Sequence, residues 1–200
     1  NVLFLDTEVY SNTGGQSSKS SRTGSVAQFT ASGKPVQKKD LGQIAMTYGY
    51  IFVAQVNSSA NYNHLLKAIL AAEAYDGPSL VICYSPCIAH GIKGGLGYSG
   101  NQGELATKCG YWPLYTFDPR LQDEGKNPLV LASSKEPDWD LYESFLMNEV
   151  RYNSLKKSNP GHAQELFDKN KADSQRRYRQ LKRLASADFS DEKGQRHKKD

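Results

Sequence analysis

The segment Leu5-Asp6-Thr7-Glu8-Val9-Tyr10-Ser11-Asn12-Thr13-Gly14-Gly15-Gln16 concentrates groups suited to a hard cation and an anionic ligand. An apolar run, Val2-Leu3-Phe4-Leu5, stops at an acid and enters a loop of small oxygen-bearing residues. Asp6, Thr7, Ser11, Asn12 and Thr13 offer side-chain oxygens, and nearby backbone carbonyls add more. Mg²⁺ takes an octahedron of such oxygens, shared with the phosphates of a substrate or cofactor. Gly14 and Gly15 let the backbone come close to a ligand with no Cβ in the way. Ligands of open parallel α/β sheets bind just beyond the carboxyl ends of strands, where this loop would lie. A metal–diphosphate site is one reading, and an ordinary strand-to-loop turn is the other.

A second constellation, Tyr84-Ser85-Pro86-Cys87-Ile88-Ala89-His90-Gly91, follows another apolar run. Cys87 could be a nucleophile, a metal ligand or a buried thiol. A nucleophile wants a base, and His90 lies three residues on, although loop spacing says little about distance. An iron–sulfur cluster wants three more thiolates, whereas the chain has only Cys83 and Cys109 besides. By residue type alone the buried thiol is the plainer reading. His64 falls mid-helix, and His162 and His197 lie in polar surroundings. The glycine-rich run from Gly91 to Gly100 lacks the Gly-Lys-Ser/Thr ending of a phosphate-binding P-loop.

These loops must be held by elements whose periodicity is legible. Asp40 and Gln43 are in capping-box register, opening a helix with Leu41, Ile44, Ala45 and Tyr48 on one side and Gly49 at its end. Tyr50–Val56 is a β-rich run, and Ser58 or Asn61 caps a second helix carrying Leu65, Leu66, Ile69, Leu70 and Ala74. Ser79–Tyr84 is a short continuous apolar strand. Strands apolar on both faces that alternate with helices predict a parallel sheet covered on both sides. Gly110–Phe117 reads as an edge strand, because Pro113 cannot donate to a ladder. A short strand is expected at Leu129–Leu131, a helix over Asp138–Asn153 and a longer charged helix over Gly161–Leu184. Ser17–Lys39 reads as a partly ordered loop. The opening strand looks buried, which predicts a sheet and site completed by residues before Asn1.

The fold class is therefore α/β, a parallel sheet flanked by helices with a C-terminal helical extension. The expected divisions are 1–135 for the α/β domain, 136–186 for the helical extension and 187–200 for a charged, disordered tail or linker.

Two hundred residues suffice for one sizeable core. No apolar run is long enough for a bilayer, and three cysteines argue against a secreted disulfide framework. The net charge of +4 is uneven: residues 1–160 hold 14 basic and 14 acidic side chains, and 161–200 hold 11 and 7. A nucleic-acid surface would interleave such cations with aromatic platforms. Only Tyr178 stands among Arg176, Arg177, Arg179, Lys182 and Arg183, so a solvated helix face is the simpler expectation.

Leu5–Lys19 resembles, nearly letter for letter, the thiamine-diphosphate segment of the pyruvate:ferredoxin oxidoreductase family. Similar family-like runs are Lys38-Lys39-Asp40-Leu41-Gly42, Met46-Thr47-Tyr48-Gly49-Tyr50, and Gly77–Ile82 with Pro86-Cys87-Ile88. Gly110-Tyr111-Trp112-Pro113-Leu114, Phe117-Asp118-Pro119-Arg120 and Gly125-Lys126-Asn127-Pro128 continue the likeness. It runs from Val2 to about Phe145, is loose to Leu184, and has no counterpart in the tail. It departs at Ser20-Ser21-Arg22, where the family often reads Ala-Thr-Pro, so that loop is expected to differ in shape. Lys93–Tyr98 is only broadly family-like and is assigned no contact.

The resemblance implies a thiamine-diphosphate-binding fold, incomplete at its N-terminus. It implies Mg²⁺ held by the Thr7 side chain and the Val9 carbonyl, with a third ligand, an aspartate, preceding Asn1. Asn12 matches the catalytic asparagine beside the reacting carbon, and Asp6, Thr13 and Gly14 fall in the cofactor-binding loop. Cys87 matches a ligand of a [4Fe–4S] cluster whose partner cysteines lie upstream, which replaces the buried-thiol reading. The implied activity is oxidative decarboxylation of pyruvate to acetyl-CoA and CO₂, with coenzyme A as co-substrate. Ferredoxin, flavodoxin or a fused reductase would accept the electrons. A homodimeric parent enzyme in the cytoplasm or a reducing organelle is implied, and this chain alone is expected to be inactive. The alternatives are a non-redox thiamine-diphosphate decarboxylase or synthase, and a nucleic-acid or partner-binding module using the basic C-terminal helix.

Overall fold

The computed structural model describes residues 1–192. Its centre is a five-stranded sheet formed by β1 (Val2–Asp6), β4 (Phe52–Val56), β5 (Ser79–Tyr84), β6 (Tyr115–Phe117) and β7 (Leu129–Leu131), in the order β1-β5-β4-β6-β7. β1, β5 and β4 are parallel, while β6 and β7 are antiparallel additions. β2 (Val9–Tyr10) and β3 (Gln16–Ser17) form a small separate hairpin.

The central strands show why apolar runs fold this way. Phe52, Ala54 and Val56 of β4, with Val81 and Cys83 of β5, face α2 (Tyr62–Glu73) through Ala68 and Ala72. Val53, Ile82 and Tyr84 point the other way, into a larger core. Period-two side chains on a strand buried on both faces require this continuous apolar character. On the larger side lie α1 (Leu41–Met46), α3 (Ser99–Lys108), α5 (Tyr142–Met147), α6 (Val150–Ser158) and α7 (Pro160–Ala185), while Arg120 of the short α4 (Arg120–Asp123) reaches the Ala74 carbonyl at the end of α2. Leu155, Leu166, Phe167 and Leu181 of α6 and α7 join Trp112, Tyr115 and Phe145 in that one cluster. Helix starts follow the expected chemistry. Asp40 Oδ1 accepts from the Gln43 amide at 3.0 Å, and Asn61 rather than Ser58 caps α2, accepting from His64 at 2.9 Å. Asn159 caps α7, with Pro160 at its first position.

Three expectations are corrected, and the Ser17–Lys39 stretch is the partly ordered loop expected. The opening strand is an edge strand with Val2, Leu3, Phe4 and Leu5 exposed, because no described element covers its faces; Asp6 alone is buried. β6 is interior rather than an edge. Pro113 lies ahead of it and leaves the ladder intact, while its carbonyl accepts from Gln55 Nε2 at 2.6 Å. The helix expected over Asp138–Asn153 is broken. Glu149 is extended (φ −119°, ψ 130°), and the Val150 and Lys93 amides donate across this break to Gly91 and Asn148. The Ser17–Lys39 stretch has little regular structure but a buried middle, including Ser21, Arg22, Thr23, Ser25 and Lys34. Of the tail, Ser190–Glu192 forms a 3₁₀ turn, and the disorder expected for 193–200 lies outside the described residues.

Candidate functional site

The two loops singled out by residue type are brought together by strand pairing. β1 and β5 are parallel neighbours with Asp6 opposite Tyr84, so both chains leave the sheet at the same end. The Ser85 amide continues the pairing by donating to the Asp6 carbonyl at 3.2 Å. Beyond it, His90 Nε2 lies 2.8 Å from the Thr7 carbonyl. A carbonyl only accepts, so this nitrogen carries the proton. Ala89 packs on Gly15, whose φ of +80° and tight spacing to the Ala89 Cβ explain the glycine.

Within the first loop, Thr7 Oγ1 is 3.0 Å from the Val9 carbonyl oxygen. Adjacent ligands on a Mg²⁺ octahedron, each at about 2.1 Å, are separated by about 3.0 Å, so this pair fits one edge of that shell. The hairpin β2–β3 carries Asn12, Thr13 and Gly14 at its exposed tip. Thr13 is tied to Gln16 by two 2.6 Å hydrogen bonds, while the Asn12 side chain makes none among the described residues. Gly14 has φ +113°, a left-handed setting that favours glycine.

Asp6 is placed differently from the exposed oxygens. Its carboxylate is buried and accepts from Lys38 Nζ at 2.5 Å, Ser20 Oγ at 2.6 Å and the Glu8 amide at 3.0 Å. It braces the loop from behind. Cys87 is half-buried and opens a one-turn 3₁₀ helix, Ile88–His90, with its sulfur accepting from the Ala89 amide at 3.4 Å. Cys83 and Cys109 are buried elsewhere in the core. Among the described residues no three His, Cys, Asp or Glu side chains gather as a metal-binding group.

Behind the loop lies a charge network that the sequence reading missed. The Glu8 carboxylate is fully buried and meets Arg151 at 2.9 Å, Arg22 at 3.2 Å, Lys38 at 3.7 Å and the Tyr111 hydroxyl at 2.5 Å. Arg151 also holds Glu149 at 2.6 Å, and Glu149 accepts from Gln102 at 3.0 Å. Asp6, Glu8 and Glu149 thus oppose Arg22, Lys38 and Arg151, three charges against three. That balance makes the burial of so many ions tolerable. Burial by itself would raise the Glu8 carboxyl, but Arg151, Lys38 and Arg22 outweigh it and hold it below the usual carboxylate range. Burial, aided by Arg151, depresses His90, which is therefore the neutral donor to Thr7. Lys34 donates to the carbonyls of Ser18 at 2.9 Å and Ser21 at 2.6 Å, and burial beside Lys38 lowers it to about 8. The only sequence signals of this network were charges inside otherwise apolar or small-residue settings, such as Arg151 between Val150 and Tyr152.

A cleft of about 680 Å³ lies between residues 17–43 and α7, lined by Lys19, Lys39 and Arg176 among others. Its arginines are engaged from within: Arg176 with Asp173 at 2.7 Å, Arg177 with Asp40 at 2.6 Å and Gln55 at 2.7 Å. Arg177 and Arg176 thus reach the 37–40 segment, while Arg176, Arg179, Lys182 and Arg183 stay exposed, as expected of a solvated helix face.

No family model matches the chain. Individual relatives do. It is 54% identical over 185 residues to a pyruvate:ferredoxin oxidoreductase of Moorella thermoacetica, covering 92% of this chain and 16% of that protein. It is 50% identical over 187 residues to a pyruvate-flavodoxin oxidoreductase of Enterobacter agglomerans, covering 94% and 16%. Against the mitochondrial pyruvate dehydrogenase [NADP(+)] of Euglena gracilis it is 52% identical over 160 residues, covering 80% and 9%. The chain thus spans about 16% of the length of the first two of these relatives. At about half identity over nine-tenths of its residues, it belongs to the pyruvate:ferredoxin and pyruvate-flavodoxin oxidoreductase family, matching a segment of those longer proteins.

Proposed function

We propose that this chain is the part of a pyruvate oxidoreductase that holds thiamine diphosphate and Mg²⁺ and supplies one ligand to an adjacent [4Fe–4S] cluster. The whole enzyme would convert pyruvate and coenzyme A to acetyl-CoA and CO₂. Its electrons would pass to ferredoxin, flavodoxin or a fused reductase. The observation that carries this reading is the parallel pairing of β1 with β5, which delivers the Thr7–Val9 oxygen pair and Cys87 to the same end of the sheet. The matching names of the relatives support the substrate and acceptor classes.

The diphosphate-bearing cofactor would supply the carbanion chemistry, while the protein positions it. Thr7 Oγ1 and the Val9 carbonyl would hold one edge of the metal shell. Asn12, whose amide is uncommitted at the hairpin tip, would face the reacting carbon. Asp6 would serve the cofactor through the loop that it braces. The exposed apolar faces of β1 would be covered by the remainder of the parent chain, which would also complete the ligand sets, and the isolated chain would have no turnover. The parent enzyme would be a homodimer of the cytoplasm or a reducing organelle; among the described residues no helix is long and apolar enough to cross a membrane.

The test is Cys87→Ala in the full-length enzyme. Thiamine diphosphate binding should persist while reduction of ferredoxin or flavodoxin falls to background. A folded variant that reduces its acceptor at the wild-type rate would overturn the cluster role. A wild-type enzyme that binds thiamine diphosphate yet reduces no acceptor would instead favour a non-redox decarboxylase or synthase, which has no use for that thiolate.

A further inference from the structure

Glu8 stands between the two residues whose oxygens fit a metal edge, and its backbone is left-handed, with φ +58°. Such a setting costs a residue with a Cβ about 1–2 kcal/mol and persists only where the surroundings hold it. Here they do. The carboxylate is gripped by Arg151, Arg22 and the Tyr111 hydroxyl, its own amide donates to Asp6, and its carbonyl accepts from Ser21 Oγ at 2.5 Å. On the other flank, His90 fixes the Thr7 carbonyl. The groups that grip Glu8 come from three distant places: the 20–22 loop, the segment after α3, and the first turn of α6. None of them is a candidate ligand.

We propose that Glu8 is a positioning residue: its buried carboxylate, clamped by Arg151, Arg22 and Tyr111, imposes the left-handed turn that sets Thr7 Oγ1 and the Val9 carbonyl at metal-edge spacing. The turn brings the residue 7 side chain back to the residue 9 carbonyl, a contact two residues apart that an extended strand does not make. Strain is held at the site by the network and not by the metal, so the edge is formed before the ion arrives. Pre-organisation of this kind raises affinity by removing an ordering cost from the binding step.

This inference rests on the Mg²⁺ role proposed for Thr7 and Val9, and the experiment separates the two. In the full-length enzyme, binding of radiolabelled thiamine diphosphate is measured by equilibrium dialysis as Mg²⁺ is varied, for Thr7→Val, Glu8→Gln, Glu8→Gly and Tyr111→Phe. Thr7→Val should raise the Mg²⁺ needed for half-saturation at least tenfold, and Glu8→Gln should do so to a similar degree. Glu8→Gly permits the left-handed turn without strain but deletes the clamp; it should also raise the Mg²⁺ requirement. Tyr111→Phe takes one hydrogen bond from the Glu8 carboxylate, along with the hydroxyl's bonds to Tyr152 and Arg151, and no charge, so it serves where Glu8→Gln fails to fold, with an expected rise of about threefold. A normal requirement in Thr7→Val sinks the metal reading itself. A raised requirement in Thr7→Val with normal values in folded Glu8→Gln, or in Tyr111→Phe, overturns the positioning role alone. A wild-type requirement in Glu8→Gly also overturns it, because the turn by itself would then suffice. Lower melting temperatures with unchanged Mg²⁺ dependence would mark Glu8 as a structural residue only.

Discussion

Two of the three basic side chains of helix α6 meet opposite fates. Arg151, in its first turn, is 1% exposed and bridges Glu8 and Glu149. Lys156, five residues on, is 40% exposed and pairs with Glu143 of α5 at 2.5 Å. Both are ion pairs of good geometry, yet only the first shares a dry interior with other charges. In water an ion pair gains little over its solvated partners, whereas in the interior each member depends on every other for its solvation. The number of charges on an element therefore says little about its task; what matters is whether water can replace the partner. The same contrast separates the 20–38 segment, whose Arg22 and Lys38 are buried, from the exposed side of α7.

The comparison breaks most readily at Arg151. Arg151→Met leaves Glu8 and Glu149 buried with one cation fewer and should destabilise the region by about 3–5 kcal/mol. Hydrogen exchange of the Asp6–Tyr10 amides in the full-length protein reads this, and unchanged protection would remove the distinction drawn here.

Lys34 sharpens it through pH. Its ordinary value of 10.5 is lowered to about 8 by burial and by Lys38. Between about pH 8 and 10.5 the unfolded chain keeps a proton that the folded chain has released. Stability therefore rises with pH across that window, and the burial cost is fully present below it. The gain amounts to about 3 kcal/mol at most. Wild type should show this rise relative to Lys34→Met in denaturant melts from pH 7.5 to 10.5; parallel curves would place Lys34 in a solvated setting.

The smallest effect belongs to the exposed pair. Lys156→Ala should cost under about 1 kcal/mol and lose even that at high salt. A loss comparable to that of Arg151→Met would show that burial is not the deciding variable.

Local chemistry wrote the most legible parts of this fold. Ser79–Tyr84 is a strand at the expected bounds, because a continuous apolar run between turn signals leaves few alternatives. The Asp40 and Asn61 caps are visible because the side chain that satisfies the amide sits within three residues of it. The meeting of the Thr7 and Cys87 loops followed from the parallel strand order alone. What escaped depends on partners far along the chain. No glycine or proline marks the break at Glu149; it is made by bonds to Gly91 and Lys93 and by a carboxylate turned inward to Arg151. The interior status of β6 rests on β7 pairing beyond it. Glu8 carries no local sign of a left-handed backbone, a setting in which glycine or asparagine is expected. Its conformation is dictated by Arg22, Tyr111 and Arg151, which are 14, 103 and 143 positions away in the sequence.

The outer rim of β1 has a consequence for handling the molecule. Its free amide and carbonyl row is flanked by Val2, Leu3, Phe4 and Leu5, each more than a third exposed, with no lysine or proline to blunt it. Rims of this kind recruit another strand, and a second copy is the nearest supply whenever the segment is prepared by itself. Self-association of the isolated segment would then grow with protein concentration through a seam of paired backbones. Placing a charge at Leu3 or Leu5 should suppress it, leaving the hairpin and the Thr7–Val9 oxygen pair untouched.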